Sequence, residues 1–247
     1  MTKYLQSRKS LSDYFKWRTR RVRPVVKKIN KIKKLRGLNI LEIGCGYGSL
    51  MALVNDLGAN VIGTEASKES VEIAKKFLKG RKKVKVINVK DEKLDFQDSS
   101  FDVVVLFDVI EHVKNPEFMV KECIRVLKPG GILYSEFTPY YSLVGHHLYD
   151  VSKLPIHVLP ERYIKKLVYG AKVKGIFNPD DYWRDFKSLN KLRISEFQKY
   201  VRSLSKIEEK YILKYPDVFE ISVPVLALLG RFKDTFAFSF EGIYKKT

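Results

Sequence analysis

The sequence predicts an α/β fold in which a parallel β-sheet carries helices on both faces. Short apolar runs alternate with stretches of helical periodicity over residues 38–138, which is the pattern of consecutive strand–helix–strand units. One run, Phe101–Phe107, is almost entirely apolar, as expected of a central strand buried on both faces. The turn Pro129-Gly130-Gly131 then ends a helix before the next strand begins.

The individual elements follow from this pattern in chain order. Strands are predicted where Val, Ile, Leu and Phe cluster between polar or glycine-containing segments, over residues 39–43, 61–64, 84–89, 101–107, 132–137, 207–213 and 235–244. Helices are predicted where apolar residues recur every three or four positions, over residues 50–57, 68–78, 116–127, 194–204 and 223–229. Ser67 is expected to cap the second of these helices.

The chain is expected to have four segments. Residues 1–37 form a helical arm, residues 38–138 the first part of the core, and residues 191–247 its remainder. Residues 139–190 are rich in Tyr, His, Lys and Pro and lack clear periodicity. They are therefore expected to form an insertion over one end of the sheet.

Positive charge is concentrated in the N-terminal arm. The 247-residue chain has 47 Lys and Arg against 28 Asp and Glu, a net charge of +19. Residues 1–37 contain 14 of these cations and a single anion, Asp13. Such an arm is either an ordinary solvated helix or a surface for an anionic partner, namely RNA, a phosphorylated substrate or a membrane surface.

The apolar residues of the arm predict an amphipathic helix whose apolar stripe faces the core. The residues at helical spacing are Val22, Val25, Val26, Ile29 and Ile32. Pro24 is expected in the first turn of this helix, where its missing N–H leaves no hydrogen bond unmade.

Composition also excludes several classes of protein. Two cysteines, Cys45 and Cys123, cannot build a disulfide scaffold, and they favour a reducing, cytoplasmic location. All apolar runs are far shorter than the ~20 residues of a membrane-spanning helix, so no transmembrane segment is expected. No signal peptide is visible.

The most informative motif is Leu-Glu-Ile-Gly-Cys-Gly-Tyr-Gly at residues 41–48, where a strand leads through a glycine-rich turn into a helix. Glycines let the backbone approach a ligand closely. Dinucleotide-binding sheets use the same turn, but their third glycine would fall at Ser49. In addition, the carboxylate of Glu42 would repel a pyrophosphate. The loop therefore predicts a ligand with an amino group and no phosphate.

Two further carboxylates follow the next two strands. Glu65 ends the second strand, where its carboxylate can accept hydrogen bonds from the two hydroxyls of a ribose. Asp91 comes just after the third strand, where it can hold an adenine amino group. Together with the loop, these positions predict a nucleoside ligand.

In order and spacing, these motifs resemble those of the class I S-adenosylmethionine-dependent methyltransferases. The glycine loop resembles their first motif, and Val61–Glu65 resembles their second. Ser100–Val105 resembles their fourth strand, and Arg125–Gly131 resembles the turn before their fifth. The resemblance implies a doubly wound, Rossmann-like sheet of seven strands with an antiparallel last strand. It also implies S-adenosylmethionine as the cofactor.

The same resemblance implies the cofactor contacts. Glu42 and the backbone of the glycine loop would lie near the methionine part, Glu65 on the ribose and Asp91 near the adenine. The full set of expected cofactor residues is Glu42, Gly44, Cys45, Gly46, Gly48, Glu65, Asp91, Phe107 and Asp108.

The chain has four histidines, so candidates for proton transfer are few. A helix beginning after the fourth strand would place Asp108, Glu111 and His112 on one face. This spacing resembles the metal site of ubiquinone-type O-methyltransferases and of small-RNA 3′-terminal 2′-O-methyltransferases, but a capping or substrate-orienting role without a divalent metal is favoured. The expected catalytic residues are His112 and, in the insertion, His146 and His147.

The sequence therefore predicts a methyltransferase that acts on a small-molecule acceptor. The stretch from Thr138 to Leu192 faintly resembles methyltransferases of surface-glycan pathways, which favours transfer to the oxygen of a sugar or another polar hydroxyl. Two alternatives stay open. One is an RNA-directed methyltransferase guided by the basic arm, with metal-assisted 2′-O-methylation as one form. The other is a non-enzymatic scaffold that attaches to anionic surfaces through the arm.

Overall fold

The computed structural model describes residues 11–148, 150–152, 154–172, 178–215, 219–222, 228 and 233–247. The helices are α1 (Leu11–Ile32), α2 (Ser49–Asp56), α3 (Lys68–Phe77), α4 (Pro116–Val126), α5 (Glu161–Gly170), α6 (Pro179–Ser188), α7 (Ile194–Tyr200) and α8 (Lys233–Phe236). The strands are β1 (Asn39–Ile43), β2 (Asn60–Glu65), β3 (Val84–Asn88), β4 (Phe101–Phe107), β5 (Leu127–Phe137), β6 (Ser205–Tyr215), β7 (Phe219–Ser222) and β8 (Ser239–Lys245). None of these described helices has the length and hydropathy of a membrane span.

The strands form one mixed sheet in the order β3-β2-β1-β4-β5-β8-β6-β7. The first five strands are parallel, and β8 is antiparallel to both of its neighbours, β5 and β6. The predicted doubly wound sheet with an antiparallel last strand is confirmed. The short strand β7 pairs with the outer edge of β6 and adds an eighth strand to the described sheet.

The central strand β4 is buried on both faces, as predicted. Val104 and Leu106 pack against α4 and α7, whereas Val103 and Val105 pack on the opposite side against α1 and α2. Alternate side chains of a strand point to opposite faces, so this one strand contributes to both halves of the core. Its carboxyl end meets those of β1 and β2 at one edge of the sheet, where parallel α/β sheets bind ligands.

The N-terminal arm is a single helix, α1, from Leu11 onwards. Val22, Val25, Val26 and Ile29 are buried as predicted, whereas Ile32 is exposed. The expectation that Pro24 lies in the first turn is wrong, because the helix begins more than three turns upstream. Pro24 is exposed there.

Several element boundaries differ from the expectations. The chain re-enters the sheet at Leu127, and the turn at Pro129 forms an irregularity inside β5 where its register against β4 shifts. The closing strand begins at Ser239 because α8 occupies the residues just before it. The predicted helix over residues 223–229 lies outside the described residues except for Leu228.

Residues 139–190 contain two helices that the sequence pattern did not reveal, α5 and α6. They pack with neighbouring loops around a small apolar core of their own, comprising Tyr140, Leu148, Ile156, Ile164, Val168, Tyr182, Phe186 and Leu189. Each helix is only ten residues long, too short for periodicity to stand out.

Asn190 fastens the end of this insertion to the sheet edge. Its side-chain amide donates to the carbonyl oxygens of Ile110 and Val113, each at 2.7 Å. Its backbone N–H donates to the carbonyl oxygen of Glu111 at 2.9 Å. One residue thus holds the turn that follows β4 against the insertion.

The substitution Asn190→Ala tests this attachment. It removes both side-chain donors, and leaving a partly buried carbonyl without a donor costs about 1–3 kcal/mol. We expect the free energy of unfolding, measured by urea denaturation, to fall by roughly 1–3 kcal/mol. Lys199→Ala, on an exposed position of α7, is the control and should change it by less than about 0.5 kcal/mol. Equal effects of the two substitutions would contradict the proposed attachment.

Candidate active site

A cavity of about 1090 Å³ opens at the carboxyl ends of β1, β2 and β4. Its walls come from the glycine loop, the segments that follow β2, β3 and β4, the inner face of α1 and one face of α6. Of the residues predicted from the sequence, it is lined by Glu42, Gly44, Cys45, Gly46, Glu65, Asp91, Asp108 and His112. Gly48, Phe107, His146 and His147 are not part of this lining.

Two glycines of the loop have different tasks. Gly46 has a φ of 53°, and a Cβ built on it would have no heavy atom within 4 Å, so this stretch of backbone borders open space. Gly48, at the start of α2, has a φ of 80°, and a Cβ there would lie 2.6 Å from a methyl carbon of Leu78. Gly48 therefore shapes the turn from behind, which explains its position outside the cavity lining.

Glu42 brings a buried carboxyl group to this loop. Burial raises the pKa of Glu42 to about 8, although the guanidinium of Arg18 acts in the opposite direction. Its Oε2 atom is buried and has no hydrogen-bond partner in the described part of the chain. Burying an acceptor without a partner is costly, so the site is built for a ligand that supplies a hydrogen-bond donor, and a cationic donor best of all.

Glu65 is held rigidly at the end of β2. One carboxylate oxygen accepts the backbone N–H of Gly46 and the other accepts that of Ser67, both at 2.9 Å. These contacts leave further lone pairs for a ligand in the cavity. Burial raises the pKa of the Cys45 thiol well above its ordinary value, so Cys45 is not a nucleophile.

The inner face of α1 forms a wall that the sequence analysis did not foresee. Arg18 and Arg21 approach the carboxylate of Asp108 at 2.7 and 2.9 Å. Their guanidinium carbons lie 4.5 and 5.3 Å from the centre of the Phe107 ring. Phe107 is thereby covered by arginines. The signal that could have indicated this wall is the inward position of Arg18 and Arg21 on the predicted helix, beside Val22.

The expected helical face of Asp108, Glu111 and His112 does not form. Asp108 directly follows β4 in a left-handed backbone conformation with a φ of 53°, and only Ile110–His112 make a short 3₁₀ turn. Asp108 is therefore directed to the arginines of α1. In the described part of the chain, no three His, Cys, Asp or Glu residues are grouped to hold a metal ion.

His112 and His147 do come together, edge to face, with ring centres 5.2 Å apart. The Nδ1 atom of His112 lies 2.7 Å from the hydroxyl oxygen of Ser188, and Nε2 of His147 lies 4.0 Å from a carboxylate oxygen of Glu111. Glu111 is 2% exposed, so this carboxylate sits in a low-dielectric environment beside the two rings.

His146 is placed elsewhere, which corrects its expected grouping with His112 and His147. It is fully buried, its Nδ1 atom accepts the backbone N–H of Leu148 at 2.9 Å, and its ring stacks on that of His157. Neighbouring residues in an irregular stretch point in different directions, so the pair His146-His147 could not be assigned from sequence.

One face of α6 also lines the cavity. Its lining residues are Asp181, Arg184, Asp185 and Ser188. They are polar and occupy positions i, i+3, i+4 and i+7, so they share one side of the helix. The sequence analysis missed them because it read this stretch as irregular.

Fold and cavity together define the class: a doubly wound sheet with an antiparallel last strand, a glycine loop after β1 and a carboxylate at the end of β2 are those of a class I S-adenosylmethionine-dependent methyltransferase domain. Residues 41–135 match the family model described as "Methyltransferase domain". The match extends from β1 into β5, the part of the sheet that carries the glycine loop.

Among curated proteins, similarity is to enzymes of ubiquinone biosynthesis. The mitochondrial ubiquinone biosynthesis O-methyltransferase of Rattus norvegicus is 32% identical over 167 residues, covering 65% of this chain and 43% of the relative. The ubiquinone biosynthesis O-methyltransferase of Pelagibacter ubique is 36% identical over 103 residues, covering 41% of this chain and 42% of the relative. The chain spans less than half the length of the curated relatives it matches.

Similarity to solved structures shows the fold. Magnesium protoporphyrin IX methyltransferase from Synechocystis PCC 6803, with bound SAH, superposes with a TM-score of 0.59 at 16% identity, covering 93% of this chain and 83% of that chain. A protein from Pyrococcus horikoshii OT3 gives a TM-score of 0.59 at 21% identity, covering 98% of this chain and 94% of that chain.

The raised pKa of Glu42 predicts a pH-dependent stability. Between its ordinary value of 4.5 and about 8, the folded chain keeps a proton that the unfolded chain has lost. The contribution of Glu42 to stability is thus complete below pH 4.5 and is lost as the pH rises to about 8. We expect Glu42→Gln to flatten the decline of the melting temperature between pH 5 and pH 8.

The control for this experiment is Glu117→Gln, an exposed carboxylate on α4. It should keep the pH slope of the unmodified chain. If the Glu42→Gln and Glu117→Gln slopes coincide, burial does not perturb the carboxyl group of Glu42.

Proposed function

We propose that the chain transfers a methyl group from S-adenosylmethionine to an oxygen atom of a small-molecule acceptor. The observation that carries this proposal is the buried carboxyl of Glu42, whose Oε2 lacks a partner within the described residues and lies beside an open glycine loop. S-adenosylmethionine supplies a methyl group that its sulfonium already activates. Its ammonium group is the cationic donor that such a site requires, and it has no phosphate for Glu42 to repel.

Six of the nine predicted cofactor residues have a place in this proposal. Glu42 accepts the ammonium group, and the backbone of Gly44 to Gly46 borders the methionine part. Glu65, fixed by two backbone N–H groups, accepts the ribose hydroxyls. Asp91, in the cavity wall after β3, receives the adenine amino group.

The acceptor is proposed to be a polar alcohol such as a sugar. Charged and hydroxyl side chains of α6 line the cavity together with His112, which suits a molecule rich in hydrogen-bonding groups. A hydroxyl nucleophile loses its proton during methylation, and His112 is the candidate base at this wall. The printed names of the curated relatives, O-methyltransferases, support transfer to oxygen.

A cytoplasmic location is part of the same proposal. Both cysteines, Cys45 and Cys123, are free and buried, which agrees with a reducing compartment.

Calorimetric titration with S-adenosylmethionine tests the cofactor site. A bound ammonium group favours the ionised form of the Glu42 carboxyl, and Glu42→Gln replaces that acceptor by a neutral amide. A hydrogen bond to a charged group contributes about 1.5–3 kcal/mol. We expect the affinity to fall at least about tenfold. Glu117→Gln should leave it unchanged. Tight binding by Glu42→Gln, or binding of a pyrophosphate-containing dinucleotide in its place, would contradict the proposal.

Measurement of turnover tests the proposed role of His112 as a general base. With a panel of sugar and phenol acceptors, the unmodified chain should form S-adenosylhomocysteine at a measurable rate. His112→Gln should lower kcat by about 10²–10⁴-fold, the usual contribution of a general base. Its affinity for S-adenosylhomocysteine should stay within about threefold of the original, since His112 is not proposed to hold the cofactor. A fully active His112→Gln variant would exclude His112 as the general base.

A second candidate function is suggested by the outer face of α1. Six exposed cations follow one another at steps of three or four residues: Lys16, Arg20, Arg23, Lys27 and Lys31 on this face of the helix, and Lys34 two residues beyond its end. None of the six forms an ion pair with a described residue, whereas Arg18, Arg21 and Lys28 on the inner side do. The five cations within α1 span roughly 22 Å at 1.5 Å per residue.

We propose that this row docks the phosphate backbone of RNA. The apolar face of α1 is buried against the core, so the helix cannot insert that face into a bilayer. A straight row of cations without an apolar anchor suits a polyanion. RNA would then be either an acceptor or a docking partner for a chain that methylates it.

Fluorescence anisotropy with a single-stranded RNA oligonucleotide tests the row. The affinity should decrease steeply with salt, and replacing all six cations by Gln should abolish binding at low salt. Binding of S-adenosylhomocysteine is the control and should persist. Indifference to RNA at low salt, or equal binding to anionic lipid vesicles, would contradict this second function.

A further inference from the structure

Glu92 joins two segments of the cavity wall that are 22 positions apart in the chain. Its carboxylate accepts the backbone N–H groups of Lys114 and Asn115, and the contacts with Asn115 are 3.0 and 3.2 Å long. Asn115 in turn caps α4, because its side chain accepts the backbone N–H of Phe118 at 3.0 Å. The segment after β3 is thereby fastened to the start of α4.

Both fastened segments line the cavity. Leu94 from the first segment and Val113 and Met119 from the second are buried apolar residues of this lining. Asp91, the residue before Glu92, belongs to the same lining. A flat base held here would have apolar contacts from both segments and a carboxylate for its amino group. Its fit therefore depends on how the two segments are placed relative to each other.

We propose that Glu92 is a positioning residue that fixes the spacing of these two segments and thereby holds Asp91 in place for the base of the cofactor. The inference rests on the proposed function and deepens it, because it names the residue that orders the proposed adenine contact. An ionised carboxylate that accepts two N–H groups makes strong, directional contacts. Lys114 and Asn115 also lie at the N-terminus of α4, whose partial positive charge favours an anionic acceptor.

A second contact lets this role be tested without unfolding the segment. The backbone N–H of Leu94 donates to the carboxylate of Glu122, on α4, at 2.9 Å. The segment therefore stays attached to α4 at Leu94 when Glu92 is replaced. We expect Glu92→Ala to loosen the part that carries Asp91 and to leave the rest of the fold intact.

Amide hydrogen exchange, followed by NMR, tests the link in the ligand-free chain. In Glu92→Ala, the N–H groups of Lys114 and Asn115 lose their acceptor, so both should exchange about tenfold faster. Glu92→Gln keeps one oxygen, and a single oxygen of Glu92 already contacts both N–H groups. This conservative variant should keep most of the protection.

Calorimetry with two ligands then separates positioning from a general loss of structure. S-adenosylhomocysteine carries the base, whereas S-ribosylhomocysteine has the ribose and the amino acid without it. We expect Glu92→Ala to lower the affinity for S-adenosylhomocysteine about tenfold and to leave that for S-ribosylhomocysteine within about threefold. Glu92→Gln should bind both ligands like the unmodified chain. Asp95→Asn, which changes an exposed carboxylate of the same segment, is the matched control and should affect neither.

Three results would overturn the inference: equal losses of affinity for the two ligands in Glu92→Ala, a Glu92→Gln variant that behaves like Glu92→Ala, or unchanged exchange of Lys114 and Asn115 in Glu92→Ala. The proposed function fails in a different way. If the unmodified chain binds neither ligand, the proposed function is contradicted. If the unmodified chain binds S-adenosylhomocysteine and Glu92→Ala binds it equally well, the inference alone is wrong.

Discussion

A carboxyl group removed from water is the constraint on which the rest of the site depends. Glu42 lies inside the sheet edge, and burial raises its pKa to about 8. No packing benefit accounts for a carboxyl in this position, because an apolar side chain would fill the same volume without the cost of desolvation. The cost is offset only when a ligand brings a positive donor to the free oxygen. The glycine loop has an open side that admits this ligand. Glu65 supplies a second carboxylate for the same ligand.

The basic arm combines two kinds of surface in one helix. Its inner cations are paired, with Arg18 and Arg21 on Asp108 and Lys28 on Glu241, so they belong to the folded core and to the wall of the cavity. Its outer cations remain in solvent. The net charge of +19 therefore overstates what is free to attract a partner, and within α1 as described it is the outer row that can act at a distance.

The sequence was sufficient to predict the features that depend on local residue patterns. The apolar run of β4, the glycine loop and the carboxylates at the ends of strands are determined by neighbours in the chain, and each was found at its predicted place. Contacts between segments that are distant in the chain could not be predicted from the sequence. The pairing of Asp108 with Arg18 spans 90 positions, and that of His112 with Ser188 spans 76. Residue spacing alone cannot distinguish an α-helix from a 3₁₀ turn, so the sequence predicts a helix after β4 where the structure has a 3₁₀ turn.

The central claim is that Glu42 and Glu65 together recognise a cationic nucleoside without phosphate. A crystal structure of the chain grown with S-adenosylhomocysteine measures this most directly. The claim requires the amino group of the ligand within hydrogen-bond distance of the Glu42 carboxylate and the ribose hydroxyls on Glu65. A ligand bound with its amino group directed away from Glu42, or a cavity that stays empty at saturating concentration, would contradict it.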